Sequence, residues 1–194
     1  MSKTLKKQEW FTAPPEIVTE NYYIRGLSIT DADRLFPILS DKETMKFITP
    51  HPVQTVADVK VNIQDNLRNF SLQKEIPWVI IHKESHELIG MFRFHKLNMW
   101  HQKTEMGVVI GKSHQHKGVM SEMLKHLLQF GFVTLGLNRI VGDIFAGNRG
   151  SEQLLLKYGF HKDGQIRQTD FDGEQFHDTV VYSLLKNEYL KEGH

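Results

Sequence analysis

The period of apolar and polar positions changes several times along this chain, and each change marks an element. Tyr22-Tyr23-Ile24-Arg25-Gly26-Leu27 alternates as a strand does. Thr30, with Asp33 three residues on, reads as the N-cap of a helix over about Asp31–Leu39. A short helical piece covers Glu43–Ile48 and stops at Pro50-His51-Pro52. Apolar residues at 56, 59, 63, 67 and 70 then give one buried face to a helix over Val56–Gln73. After Pro77 the period shortens to two. Trp78–His82 and Leu88–Phe94 read as strands joined by the polar turn Lys83–Glu87, and Thr104–Ile110 reads as a third. The pattern Met123-Leu124, Leu127-Leu128, Gly131 is helical, runs to about Leu135 and is stopped by Gly136. Asn138–Phe145 reads as a strand, and Gly150–Tyr158 as a helix ended by Gly159. Asp172-Gly173 marks a hairpin turn between strands near Gly164–Phe171 and Phe176–Leu184. Residues 1–21 read as an irregular arm broken at Pro14-Pro15, in which Trp10 and Phe11 are too apolar for full solvation and are expected to pack. The order of elements predicts an α+β fold, a single sheet with helices on both faces.

Composition narrows the function. A chain of 194 residues supports one well-buried core and is short for two. Its 40% hydrophobic and 24% charged residues are ordinary for a soluble globular protein. A net charge of +1 gives no strong field, so neither nucleic acid nor an acidic membrane surface is an expected partner. The absence of cysteine removes disulfides, thiolate metal sites and a cysteine nucleophile together. No apolar run approaches the roughly 20 residues that span a bilayer. The N-terminus has basic residues but no apolar stretch behind them. A cytoplasmic protein is the expectation. Eleven histidines invite a metal reading, but His114-x-His116 and the His95/His101 pair do not make His-Glu-x-x-His. Solvated loop histidines account for them better, so no metal is expected.

The chemistry concentrates in Gln115-His116-Lys117-Gly118-Val119-Met120-Ser121-Glu122, between the strand ending Gly107-Val108-Val109-Ile110 and the next helix. A strand, a glycine loop and a helix start make an anion site. The first helical N–H groups have no intrahelical partner, and the helix dipole favours negative charge there. Lys117 and His116 add positive charge, and Gly118 lets the backbone approach an anion closely. A competing reading takes Gly107 to Ser113 as a nucleotide P-loop. That stretch has one residue too few between its glycines, and its spacer is β-branched and strand-like. About 30 residues on, Asn148-Arg149-Gly150-Ser151 leads into Glu152-Gln153-Leu154-Leu155-Leu156-Lys157-Tyr158-Gly159-Phe160. Asn148 and Ser151 are both suited to capping that helix.

Together these segments resemble the GNAT superfamily of acyl-CoA-dependent N-acyltransferases, whose Gln/Arg-x-x-Gly-x-Gly/Ala loop cradles the CoA pyrophosphate. Gln115, Gly118 and Met120 stand at the three motif positions. Met120 departs from the usual small residue, so its side chain must point away from the phosphates or the loop must shift. Leu135-Gly136-Leu137-Asn138-Arg139-Ile140, Asn148-x-x-Ser151 and Lys157-Tyr158-Gly159-Phe160 resemble the Rim-type branch, which includes the ribosomal-protein N-terminal acetyltransferases. So do Asp31-Ala32-Asp33 with Leu35-Phe36, Leu88-Ile89-Gly90, Glu105-Met106-Gly107 and Asp178-Thr179-Val180-Val181-Tyr182-Ser183-Leu184.

The resemblance runs from about Tyr22 to Tyr189. It implies an N-terminal arm over 1–21 and a single GNAT-like domain over 22–190, with a mixed, mostly antiparallel central sheet. It implies acetyl-CoA as cosubstrate and a primary amine as acceptor. A peptide or protein N-terminal α-amine, such as that of a ribosomal protein, is favoured over a polyamine or antibiotic. A non-catalytic acyl-CoA-binding module is the reading without chemistry. The chain is expected to be a monomer or a homodimer.

The cofactor set implied is Val108, Val109 and Ile110 for the pantetheine, Gln115, His116, Lys117, Gly118, Val119, Met120 and Ser121 for the pyrophosphate, and Asn148. Glu105 is implied as general base, because an ammonium must lose its proton before it attacks a thioester. That loss is small for an α-amine, with pKa about 8, and larger for a lysine near 10.4. Ser151 is implied as acid for the leaving thiolate, since the tyrosine that many members carry in this helix falls near Leu155 here. Tyr158 is displaced from that position and is expected to pack.

Overall fold

The computed structural model describes residues 11–191; Trp10 lies outside them. Its eight strands are β1 (Ile17–Val18), β2 (Tyr22–Gly26), β3 (Ile76–His82), β4 (Leu88–Asn98), β5 (Lys103–Ile110), β6 (Arg139–Phe145), β7 (His161–Phe171) and β8 (Phe176–Leu185). The helices are α1 (Ala32–Leu39), α2 (Lys42–Met45), α3 (Val56–Ser71), α4 (Val119–Gln129), α5 (Arg149–Lys157) and α6 (Lys186–Lys191). The strands form one sheet in the order β1-β2-β3-β4-β5-β6-β8-β7. Every neighbouring pair is antiparallel except β5–β6. The fold is α+β, with helices on both faces of a mostly antiparallel sheet.

The two faces carry separate cores. On one, Trp78, Phe92 and Phe94 pack beneath α4 and the π turn Phe130–Thr134, with Leu155 of α5 joining them. The Trp78 ring meets Phe94 and Phe130 edge-on at 5.8 Å each, an arrangement aromatic quadrupoles favour. On the other face, Leu35 and Leu39 of α1 and Val59 and Ile63 of α3 cover Val79, Ile81 and Met91. Val59 and Ile63 are the helical repeat seen in the sequence, and α3 begins with a capping box between Thr55 and Asp58.

Several boundaries differ from the sequence reading. The helix start belongs to Ser28, not Thr30: Ser28 and Asp31 form a capping box around the 3-10 turn Ile29–Asp31, which α1 continues. Asp31 is 2% exposed and holds both guanidinium nitrogens of Arg25, at 2.6 and 2.8 Å, which fixes the turn against β2. The arm is not irregular throughout, because Ile17↔Ile24 and Val18↔Tyr23 add a strand to the sheet edge. Phe11 packs as expected, with its ring 6.1 Å from that of Phe70. β4 runs four residues past Phe94, to Asn98. The last hairpin closes through four residues, with Asp172 N donating to Gln175 O, rather than through a two-residue turn. Gly136 ends the α4 segment as expected, in the left-handed region at φ +72°.

Candidate active site

The parallel pair β5–β6 opens partway along its length. Its register covers only Lys103↔Arg139, Thr104↔Ile140 and Glu105↔Val141, whereas β4 stays paired with β5 as far as Gly90↔Ile110. From Met106 onward one edge of β5 faces a gap. Gly111 N donates to Ile89 O at 2.8 Å, which sets the antiparallel alternation. Backbone groups of Glu105, Gly107 and Val109 are thereby committed to β4, and those of Val108 and Ile110 turn to the gap. The sequence reading of Val108–Ile110 as one unit is corrected on this point. The backbone of Val109 is spent, and its side chain packs in the core beneath α1 and α3.

Beyond the gap, a 3-10 turn over Lys112–His114 leads into the glycine loop. Gly107–Ile110 is strand, so the P-loop reading has no loop to stand on. Gln115 turns its side chain inward, with Nε2 donating to Ile110 O at 2.8 Å. It braces the loop against the end of β5. His116 and Gly118 take left-handed φ values of +59° and +79°, which gathers successive backbone N–H groups on one side. Gly118 is the N-cap of α4 and supplies no side-chain bond, so the N–H groups of the first turn stay open. A Cβ built at Gly118 meets nothing within 4 Å, so the approach is clear. Val119 is buried, leaving only its backbone for a ligand. Met120 packs against the core, the first of the two possibilities its size allowed. Glu122 in the same turn faces away. It accepts from Asn21 N at 2.7 Å, from Asn21 Nδ2 at 2.8 Å and from Thr19 Oγ1, tying the arm to the helix. Burial alone would raise its carboxyl, but these bonds outweigh that and hold it below its ordinary value.

The second segment meets the first at this point. Asn148 caps α5, its Oδ1 accepting from Ser151 N at 3.2 Å, and Ser151 sits half-buried in the first turn. Tyr158 packs as expected, and its hydroxyl donates to Ser121 O, joining the end of α5 to the first turn of α4. Glu152 accepts from Tyr182 Oη at 2.5 Å, anchoring α5 to β8; that bond, with burial, pushes the Tyr182 phenol up to about 12.

On the opposite face, beside α3, the strands present charge. Met91 and Val109 pack in the α1–α3 core, so the period-two alternation puts Arg93, His95, Glu105 and Gly107 on the same side. Glu105 pairs with Lys96 Nζ at 2.7 Å. His95 lies opposite Glu105, and burial, followed by the Arg93 charge, lowers its imidazole to about 4. Asp143 lies two residues past Val141, on the far side of the gap; desolvation, then the Glu105 charge, raises its carboxyl. Glu75 and Arg93 complete the group, 3.6 Å apart. The sequence reading chose Glu105 alone from this face. Arg93 and His95 alternate with Phe92 and Phe94, and Asp143 interrupts an apolar strand; those were the available signals. The geometry is a two-sided slot. Open backbone groups and an uncapped helix start lie toward one face, and ionisable side chains lie on the other.

Residues 22–161 match the family described as "Acetyltransferase (GNAT) domain". The chain is 31% identical over 172 residues to "Uncharacterized N-acetyltransferase YoaA" of Bacillus subtilis, covering 89% of this chain and 97% of that one. It is 28% identical over 171 residues to the "Ribosomal-protein-serine acetyltransferase" of Escherichia coli, covering 87% and 94%. A crystal structure of spermidine N-acetyltransferase from Vibrio cholerae, in complex with CoA and spermine, superposes with a TM-score of 0.78, covering 88% of this chain and 98% of that one. At 19% identity that last likeness is one of fold.

Proposed function

The chain belongs to the GNAT acetyltransferase family, and from that premise we propose that it carries an acetyl group from acetyl-CoA to the α-amine of a peptide or protein N-terminus. The observation that carries the reading is the β5–β6 gap, whose open strand edge leads to the uncapped start of α4. The pyrophosphate of the cosubstrate would take the backbone N–H groups from Gly118 to Ser121, with the Lys117 ammonium adding charge and the His116 ring close by. Its pantetheine would lie along β5 and bond Val108 and the N–H of Ile110, whose carbonyl Gln115 already holds, and an N–H in the gap would polarise the thioester carbonyl. Asn148 would stay a cap beside that site.

The acceptor approaches from the α3 face. Its ammonium gives one proton to Glu105, the free amine attacks the thioester carbon, and the adduct collapses to the amide as its C–S bond breaks, expelling the CoA thiolate and releasing the second N–H proton to water. Ser151 is the group assigned to protonate that thiolate. A thiol with pKa near 8.5 leaves readily at neutral pH, so little depends on this acid. Holding the reactants in line supplies most of the rate. The peptide acceptor draws on the ribosomal-protein relative and on the cations lining this face. A small polyamine is the second reading, and Asp143 beside Glu105 is the observation that favours it. No helix among the described residues is long and apolar enough to cross a membrane; we place the enzyme in the cytoplasm.

Binding of the cosubstrate is tested by heat. CoA at a hundred times its Kd should stabilise the protein by about 2.7 kcal/mol and raise Tm accordingly. Gly118→Asp, which puts a carboxylate against the pyrophosphate, should abolish that rise. A Tm raised by ATP and untouched by acetyl-CoA would refute this assignment of the loop.

A further inference from the structure

Beside Glu105, toward α3, lies a cavity of about 460 Å³ that the transfer chemistry leaves unused. Glu75 lines it and is 3% exposed. Its Oε2 accepts from Asn69 Nδ2 at 3.4 Å, while Oε1 is buried with no hydrogen-bond partner and stands 3.6 Å from Arg93 Nη1. A buried acceptor without a hydrogen bond is costly, and Arg93 stands too far to supply one, so this oxygen calls for a donor. Arg93 is loosely held as well, its Nη1 reaching Asn66 Oδ1 at 3.5 Å. Lys74 and Lys103 stand on the same lining, and neither pairs with a carboxylate among the described residues. The cavity therefore offers one buried acceptor, a guanidinium with donors to spare and two free ammonium groups.

We infer that this cavity holds the second to fourth residues of an acidic acceptor chain. Glu75 Oε1 accepts an N–H or O–H of that chain, and Lys74, Arg93 and Lys103 take its carboxylates. The inference rests on the peptide-acceptor reading above and narrows it. The spacing follows from register. Ile76 pairs with Phe94, which brings Glu75 beside His95, and His95 pairs with Glu105. Two inter-strand steps of about 4.8 Å put Glu75 roughly 10 Å from Glu105, the length of about three extended residues. A chain whose amine reaches Glu105 thus lays its next residues in the cavity. A free polycation gains Glu75 but meets three cations around it, which disfavours it.

The test compares acetyl transfer to two peptides with the same free N-terminal residue, one bearing Glu or Asp and the other Lys at positions 2–4. The wild-type enzyme should show kcat/KM about tenfold or more higher on the acidic peptide, and added salt should narrow the gap. The double variant Lys74→Glu/Lys103→Glu should invert the preference, and Glu75→Leu, which removes the acceptor, should raise KM for the acidic peptide. Heat protection by CoA checks that each variant is folded, and the wild-type comparison stands without them. Equal kcat/KM on the two peptides, or a wild-type preference for the lysine peptide, overturns the inference and leaves the peptide-acceptor reading intact. Transfer to spermidine with neither peptide modified overturns both.

Discussion

Glu105 is held by Lys96 at 2.7 Å, yet it is the carboxylate assigned to receive the acceptor's proton. The two roles agree because the Lys96 side chain is exposed and can give up its place to the acceptor's ammonium. General bases contribute typically about 10²–10⁴ in rate. An α-ammonium with pKa about 8 sheds its proton cheaply, so the lower end applies. Glu105→Gln keeps the shape and removes the proton acceptor. Turnover at pH 7 should fall about tenfold to a hundredfold and recover in part toward pH 9, as free amine accumulates, with heat protection by CoA unchanged. A pH–rate profile identical to that of the wild type would take Glu105 out of the mechanism. Glu105 was singled out in the sequence because its strand leads into the glycine loop and the family resemblance implied a base on that strand. Its neighbours were not. Glu75, His95 and Asp143 are far apart in sequence, and only the register of β3, β4, β5 and β6 sets them on one face.

At the scale of elements, the site depends on how β4 and β5 fit together at the glycine-loop end of β5, where Gly90 opposes Ile110. A Cβ at Gly90 would sit 2.2 Å from Val109 O, a backbone atom that cannot swing aside. Gly90→Ala should push the two strands apart and destabilise the protein by about 2–4 kcal/mol, read as a fall in the urea midpoint. A loss under about 0.5 kcal/mol, the range of neutral surface changes, would show that the strands accommodate the methyl group. The sequence disclosed most elements, because α3 and α4 have an unbroken helical period and the glycines at 136 and 159 end their helices in the left-handed region. It misplaced the α1 start because Ser28-x-x-Asp31 and Thr30-x-x-Asp33 both fit a capping pattern. Arg25 decides between them by binding Asp31 across the turn. The gap itself has no local signature. It arises from a parallel pair that stops after three rungs, and Glu105 and Val141, its last partners, are 36 residues apart in sequence.

For the whole molecule, the consequence of this buried charge is acid sensitivity that begins well above the carboxylate range. His95 has a folded pKa lowered from 6.5 to about 4, first by burial and then by Arg93. Above pH 6.5 the imidazole is neutral in both states and adds no slope. Between 6.5 and about 4 the unfolded chain binds a proton that the native state refuses, so stability falls as pH falls. Below about 4 both states are protonated and the loss is complete. Glu75 and Asp143 act the other way. Their carboxyls are raised by desolvation, so they protonate early and the folded state recovers stability as pH falls through those raised values. The slope of the wild-type curve therefore mixes opposing terms, and His95→Gln separates them. From pH 7 to pH 4 the wild type should lose on the order of 2–3 kcal/mol more than the variant, with the two curves parallel below about pH 4. Urea unfolding at pH 7, 5.5 and 4 on both proteins measures the difference. Curves that stay parallel over the whole range would mean that His95 takes up its proton in the folded protein as easily as in the unfolded chain.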